Sequence, residues 1–210
     1  MAQSLPDGWR RYQDPQGRFQ FFYPEGFGTP SRGTDDGFRG RTASIRFPAF
    51  GGEAVLTTGP PQVDLQSAGG LYDAIALQAL TAAMATTIRD VLPVLTAASF
   101  CDAIGREQHF DPVNARFSGW TAAQKRAAEG VDRMGNIAPR ILQCEISGDT
   151  VTFHKEAAFD PARPRRHIYG AIRFLPPPYS SFQLIRGGAD APTIELLAQV
   201  TEVVTSWKEK

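Results

Sequence analysis

The chain has 210 residues, 42% of them hydrophobic and 21% charged, with 22 basic side chains against 22 acidic ones. Balanced charge gives no global field to recruit nucleic acid or an anionic membrane surface, and no apolar run approaches the roughly 20 residues of a membrane helix. A chain of this length is expected to fold as a single domain over residues 1–210 and to bury enough surface to need neither metal nor disulfide.

Residues 1–16 are polar and read as an irregular N-terminal segment. They lack a charged, apolar, small-residue leader. A start such as Met1-Ala2-Gln3-Ser4-Leu5-Pro6 is also what an exported chain keeps once its signal is removed. The expectation is a periplasmic or secreted protein, with a cytoplasmic one as the alternative. Basic residues are mostly Arg, with Lys only at 125, 155, 208 and 210, a usage that GC-rich codons give and that suggests a bacterial source.

The first expected strand is Arg18–Tyr23, where Phe19, Phe21 and Tyr23 alternate onto one face before Pro24-Glu25-Gly26 stops it. Residues 28–40 read as a loop. Arg41–Phe47 is the cleanest strand, with Ala43, Ile45 and Phe47 facing in and Thr42, Ser44 and Arg46 facing out. Glu53–Thr58 follows, closed by Gly59-Pro60-Pro61. Ser67–Met84 is rich in Ala and Leu and predicts a buried helix. In the stretch 86–110, Pro93 breaks any helix, and Thr96–Glu107 offers a further helical run. Trp120–Met134 carries one apolar stripe, with a Thr121 N-cap and a Gly135-Asn136 stop.

Four strands come next. Arg140–Ile146 and Thr150–Ala157 flank the hairpin signal Ser147-Gly148-Asp149. His167–Leu175 and Ser181–Arg186 flank Pro176-Pro177-Pro178-Tyr179. This tract matches a polyproline ligand in composition, but between two strands it reads as a rigid turn. Pro192–Lys208 predicts a terminal helix with Leu196, Leu197, Val200, Val203, Val204 and Trp207 on one face. Strands, helices, a four-strand meander and a helix, in that order, favour an α+β fold with an antiparallel sheet.

Tyr12, the strand Gly17-Arg18-Phe19-Gln20-Phe21, the turn Tyr23-Pro24-Glu25-Gly26-Phe27, and the late strand pair with its helix ending at Ser206-Trp207 together resemble the PsbP-like family. That family is named for an extrinsic subunit of photosystem II, and a nuclear-transport cofactor for a small GTPase shares its fold. The resemblance covers about a third of the chain. It implies an antiparallel sheet packed between helices, an α/β/α sandwich, and a binding or assembly role without catalysis. Residues 86–136 have no counterpart in it and read as a helical and loop insertion.

Few residues suggest chemistry. Cys101 and Cys144 are too far apart for a CxxC motif and no zinc spacing surrounds them. Cys144 alternates with Leu142 and Ile146 on an inward face, so the pair reads either as two buried thiols or as one disulfide in an oxidising compartment. His154 and His167 would look out from one sheet face if their strands pair, with Glu156 as the obvious third ligand for a metal. Solvated or helix-contacting histidines are the default expectation. Cys101, Asp102 and His109 lie close in sequence, but a catalytic thiol needs a base in reach and a group to orient it. Arg163, Arg165, Arg166 and His167 form the dense basic cluster, a candidate patch for an anion or an acidic partner. Gly51-Gly52 and Gly187-Gly188 read as turn glycines without a dinucleotide or P-loop pattern.

The expectation is therefore a non-catalytic binding or assembly module with an unknown protein partner or small ligand, no nucleic acid, no cofactor, no metal and no catalytic residue. A small hydrolase or thiol-dependent enzyme with its site in 86–136 is the first alternative. A carrier of small apolar ligands is the second.

Overall fold

The computed structural model describes residues 6–33, 41–58, 96–105, 140–157 and 166–210. The expected helices at Ser67–Met84 and Trp120–Met134 lie outside these residues, as does His109.

Ten strands and two α-helices are found among the described residues. In chain order they are β1 (Trp9–Gln13), β2 (Phe19–Pro24), β3 (Ser31–Arg32), β4 (Arg41–Phe47), β5 (Gly52–Thr57), α1 (Ala97–Gly105), β6 (Arg140–Ser147), β7 (Thr150–Ala157), β8 (Arg166–Phe174), β9 (Ser181–Gly188), α2 (Ile194–Thr205) and β10 (Lys208–Glu209). They form a three-stranded sheet, β1-β2-β10, and a seven-stranded sheet, β3-β4-β5-β9-β8-β7-β6. Every pairing is antiparallel. The late strands lie side by side as a meander, and β9 then returns to pair with β5.

The N-terminal expectation needs correction. Residues 9–13 are not irregular: they pair along their whole length with β2, from Trp9 opposite Pro24 to Gln13 opposite Gln20. Trp9 and Tyr12 pack on the core from this strand. Their spacing of three hides the period of two that marks a strand in sequence. The connecting loop is fixed by Asp14, which is only 2% exposed. Its carboxylate accepts from Arg18 Nε at 2.7 Å and Nη2 at 3.2 Å. Burial pushes the Asp14 pKa up, but the hydrogen bonds and charge of Arg18 outweigh it and hold it below the ordinary value. Ser31–Arg32, expected within a loop, also pairs, with Arg46 and Ile45 of β4.

The core lies between one face of the large sheet and a cover made of the small sheet and α2. Phe19, Phe21 and Tyr23 of β2 meet Ala43, Ile45 and Phe47 of β4, Ala54 and Leu56 of β5, Tyr169 and Ala171 of β8, and Phe182 and Leu184 of β9. Ser44 is a second correction. It was expected to face out and is buried, with its hydroxyl bonded to Glu53. The opposite face of the sheet is apolar and buried too, with Val55, Val151, Phe153, Ile168, Ile172 and Ile185. Helix α1 packs there against β6 and β7, and Phe100 sits 5.3 Å from the Phe153 ring. The architecture is α+β with antiparallel sheets. Among the described residues, one helix lies on each face of the large sheet.

Helix α2 begins at Thr193, whose side chain accepts from the Leu196 N–H at 3.1 Å. It buries Leu197, Val200, Val203 and Val204. It was expected to run to Lys208 but stops at Thr205. The Ser206 hydroxyl donates to Val203 O at 2.8 Å and accepts from the Phe22 N–H at 2.9 Å, which ties the helix end to β2. Lys208 and Glu209 then pair with β2. Pro176-Pro177-Pro178-Tyr179 joins β8 to β9, as the turn reading required. Gly187 and Gly188 are not turn glycines; they form the end of β9, opposite Ile168 and His167.

Candidate functional site

Neighbouring residues of a strand face opposite sides of its sheet, so the register decides which polar groups meet. On the α2 side of the large sheet, β7 presents Thr152 and His154, and β8 presents His167 and Tyr169. Thr152 Oγ1 lies 2.6 Å from Thr201 Oγ1 of α2. Pairing places His154 opposite Tyr169, Glu156 opposite His167, and Tyr169 opposite Arg186. The two histidines that the sequence set on one face therefore meet, with His154 Nε2 and His167 Nδ1 3.0 Å apart.

The solvated expectation does not describe His154. It is 8% exposed and lies edge-on to the Tyr169 ring. Burial lowers its pKa, the charge of His167 lowers it further, and Glu156 opposes both. No group of three or more His, Cys, Asp or Glu among the described residues is placed to hold a metal, so Glu156 does not complete a ligand set with the pair.

This burial has a consequence for folding. A histidine whose pKa is lower folded than unfolded binds fewer protons in the native state. Stability is then full above the unfolded value of about 6.5 and falls as pH drops below it, levelling once the folded-state value is passed. His154→Gln should flatten the fall in urea midpoint between pH 7.5 and 5.5. An unchanged pH slope in that variant would show that other groups set it.

Tyr169 is 1% exposed. Burial raises its pKa, opposed by the charge of Arg186 and a hydrogen bond from it, and Asp190 pushes it up again. The Arg186 guanidinium rests over two rings, with Cζ 5.4 Å from the centroid of Phe50 and 5.9 Å from that of Tyr169. These two residues were not singled out in the sequence.

The remaining candidates separate. Arg163 and Arg165 lie outside the described residues. Arg166 is exposed and precedes His167 on β8, so the two point to opposite faces. His167 is turned to His154 and does not extend a basic patch with Arg166. Cys101 of α1 and Cys144 of β6 are joined as a disulfide, with Cα atoms 5.8 Å apart. Leu142 and Ile146 are exposed, contrary to the inward face expected for them, because β6 pairs with β7 alone among the described strands and its register shifts between Ile141 and Gln143.

Between the β6–β7 hairpin and α2 lies a groove of about 440 Å³, with Gln143, Glu145 and Thr152 on the sheet side and Leu197, Thr201 and Glu202 on the helix side. Its helix hydroxyls are already bonded: Thr201 Oγ1 donates to Leu197 O at 2.8 Å and Thr205 Oγ1 to Thr201 O at 3.1 Å. Ile194 at its end is 83% exposed.

No family model matches the chain, and no curated protein does. Among solved structures, it weakly resembles cyanobacterial PsbP (CyanoP) from Synechocystis sp. PCC 6803, whose solution structure aligns over 100% of this chain and 97% of that one, at 10% identity and a TM-score of 0.42. This is the resemblance that the N-terminal strand and the terminal helix suggest, and at that score it carries nothing about activity. No helix among the described residues is long and apolar enough to cross a membrane.

Proposed function

We propose that the chain is a non-catalytic binding or assembly module of a bacterial protein working in an oxidising compartment such as the periplasm. The observation that carries this reading is the Cys101–Cys144 disulfide. Disulfides persist mainly outside the reducing cytosol. A cysteine in a disulfide also has no thiolate, which removes the nucleophile that a thiol enzyme at Cys101 needs. The burial of both faces of the large sheet supports the fuller α/β/α architecture as part of the same reading.

The contact surface in this reading is the groove between β6–β7 and α2. Its polar rim and exposed Ile194 suit a partner segment better than an apolar small molecule sealed from water. Arg163, Arg165 and Arg166 form a second, charge-driven contact. Two arms test the reading. Ala198→Trp would fill the groove from α2, where Ala198 lines it and is exposed. It should abolish recovery of the partner crosslinked to the wild-type chain in its source organism, with the thermal midpoint unchanged. Arg163, Arg165 and Arg166 changed together to Ser should weaken the same crosslink, less so in high salt. Turnover in a broad hydrolase screen of the oxidised protein, at a rate proportional to its concentration, would overturn the proposal.

A further inference from the structure

Arg186 differs from the other half-buried arginines of the described residues. Arg18 pairs with Asp14, Arg41 with Glu53 and Arg173 with Asp149. Arg186 forms no ion pair within the described residues. Its guanidinium lies over the rings of Phe50 and Tyr169. A guanidinium has five donors, so among the described residues most of its fork is without an acceptor.

The space beside that fork is open because of a glycine. Gly188 sits opposite His167 and two residues beyond Arg186 on the same strand. A side chain there would project to the face of Arg186, Tyr169 and His167, and glycine has none. A Cβ at Gly188 would find three nearest atoms, Arg186 Nε at 3.8 Å, Arg186 Nη2 at 3.9 Å and the backbone N of Asp190 at 4.0 Å. All three are hydrogen-bond donors. The Asp190 N–H makes no hydrogen bond within the described residues. Gly51, at φ 71° in the turn before β5, flanks the same guanidinium, and a Cβ on it would lie 3.8 Å from Arg186 Nε. Strand β5 starts at Gly52 opposite Arg186, so among the described strands Gly187 and Gly188 pair on the β8 side alone.

We infer that the cell over Gly188 is an oxyanion site, which takes a carboxylate or phosphate group of a small molecule on the Arg186 fork and the Asp190 N–H. A group seated beyond the missing Cβ faces all three nitrogens, whose N–H···O bonds form at about 2.7–3.2 Å. The bonds to Arg186 are charge-assisted and, on a planar carboxylate, bidentate. The two aromatic rings hold the guanidinium flat, so little side-chain freedom is lost on binding. The Asp190 carboxylate is exposed nearby and opposes the anion, which sets the site for weak, reversible capture. This site is separate from the groove and does not rest on the binding-module reading.

The test is an NMR titration of the ¹⁵N-labelled protein with inorganic phosphate and, separately, acetate, against sodium chloride at matched ionic strength. The Arg186 Nε–H and the Gly188 and Asp190 amides should shift saturably with one or both oxyanions and not with chloride. The anion that saturates at the lower concentration identifies the source. Gly188→Ala fills the cell at ordinary contact distances and should weaken binding at least tenfold with the spectrum otherwise preserved. Arg186→Gln should abolish it, and Asp190→Asn should tighten it. Shifts that chloride reproduces, or that survive Gly188→Ala unchanged, would overturn the assignment.

Discussion

Trp207→Ala should destabilise the protein by about 3–5 kcal/mol in urea unfolding, the range for deleting a large aromatic from a packed core. Trp207 lies just past the end of α2 and is 7% exposed. Its ring is 6.4 Å from Phe19, 5.5 Å from Tyr179 and 6.4 Å from Phe182, so it joins both sheets and the proline turn at one point. Its carbonyl accepts from Arg173 Nη1 at 3.2 Å, which fixes the backbone whatever the side chain. The indole N–H has no hydrogen-bond partner among the described residues. A buried donor left unpaired costs about 1–3 kcal/mol. Trp207→Phe loses part of the ring but also removes that donor, so the two effects offset and the loss should stay near 1 kcal/mol. The contrast between the variants separates packing from polarity. A loss below about 1 kcal/mol in Trp207→Ala would mean that the junction of the two sheets does not depend on this ring.

What the sequence revealed of this fold followed from local period. The strands at Arg41–Phe47 and Thr150–Ala157 and the hairpin at Gly148 are written in neighbouring residues. The stripe of α2 is equally plain, since Leu197, Val200 and Val204 recur at helical spacing. Strand β1 was missed because Trp9 and Tyr12 are spaced by three. Its place is set by backbone pairing with β2, not by alternation. The end of α2 was misplaced because the Ser206 hydroxyl is engaged by Phe22 N–H, 184 residues away. The candidate sites were less legible still. His154 and His167 were visible as residue types, but their contact depends on the β7–β8 register. Arg186 over Phe50, and the open cell at Gly188, depend on β9 returning to β5 across more than a hundred residues. No window of sequence contains that pairing.

The second large effect concerns the disulfide. Replacing Cys101 and Cys144 together by Ala should cost about 4 kcal/mol, because the bridge closes a loop with a sequence separation of 43 and the chain-entropy model scales with the logarithm of that length. The double variant is the right comparison, since a single change leaves a free thiol able to form intermolecular bonds. The location of the bridge sharpens the expectation. Among the described elements, helix α1 packs mainly on β6 and β7, and Phe100, its fully buried anchor, also lies edge-on to Phe174 of β8. Its nine residues are too few to be stable alone in water. Cys144 sits on β6, which among the described strands pairs with β7 alone, so the bridge fastens a short helix to a weakly held strand. Most of the loss should therefore appear as early exchange of amides in α1 and β6, while β5, β8 and β9 stay protected up to global unfolding. Thiol titration of denatured, unreduced protein from an oxidising compartment should find no free thiol. Two free thiols there, or a double variant within about 1 kcal/mol of wild type, would remove the bridge as a structural element. It would also remove the observation on which the oxidising-compartment reading rests.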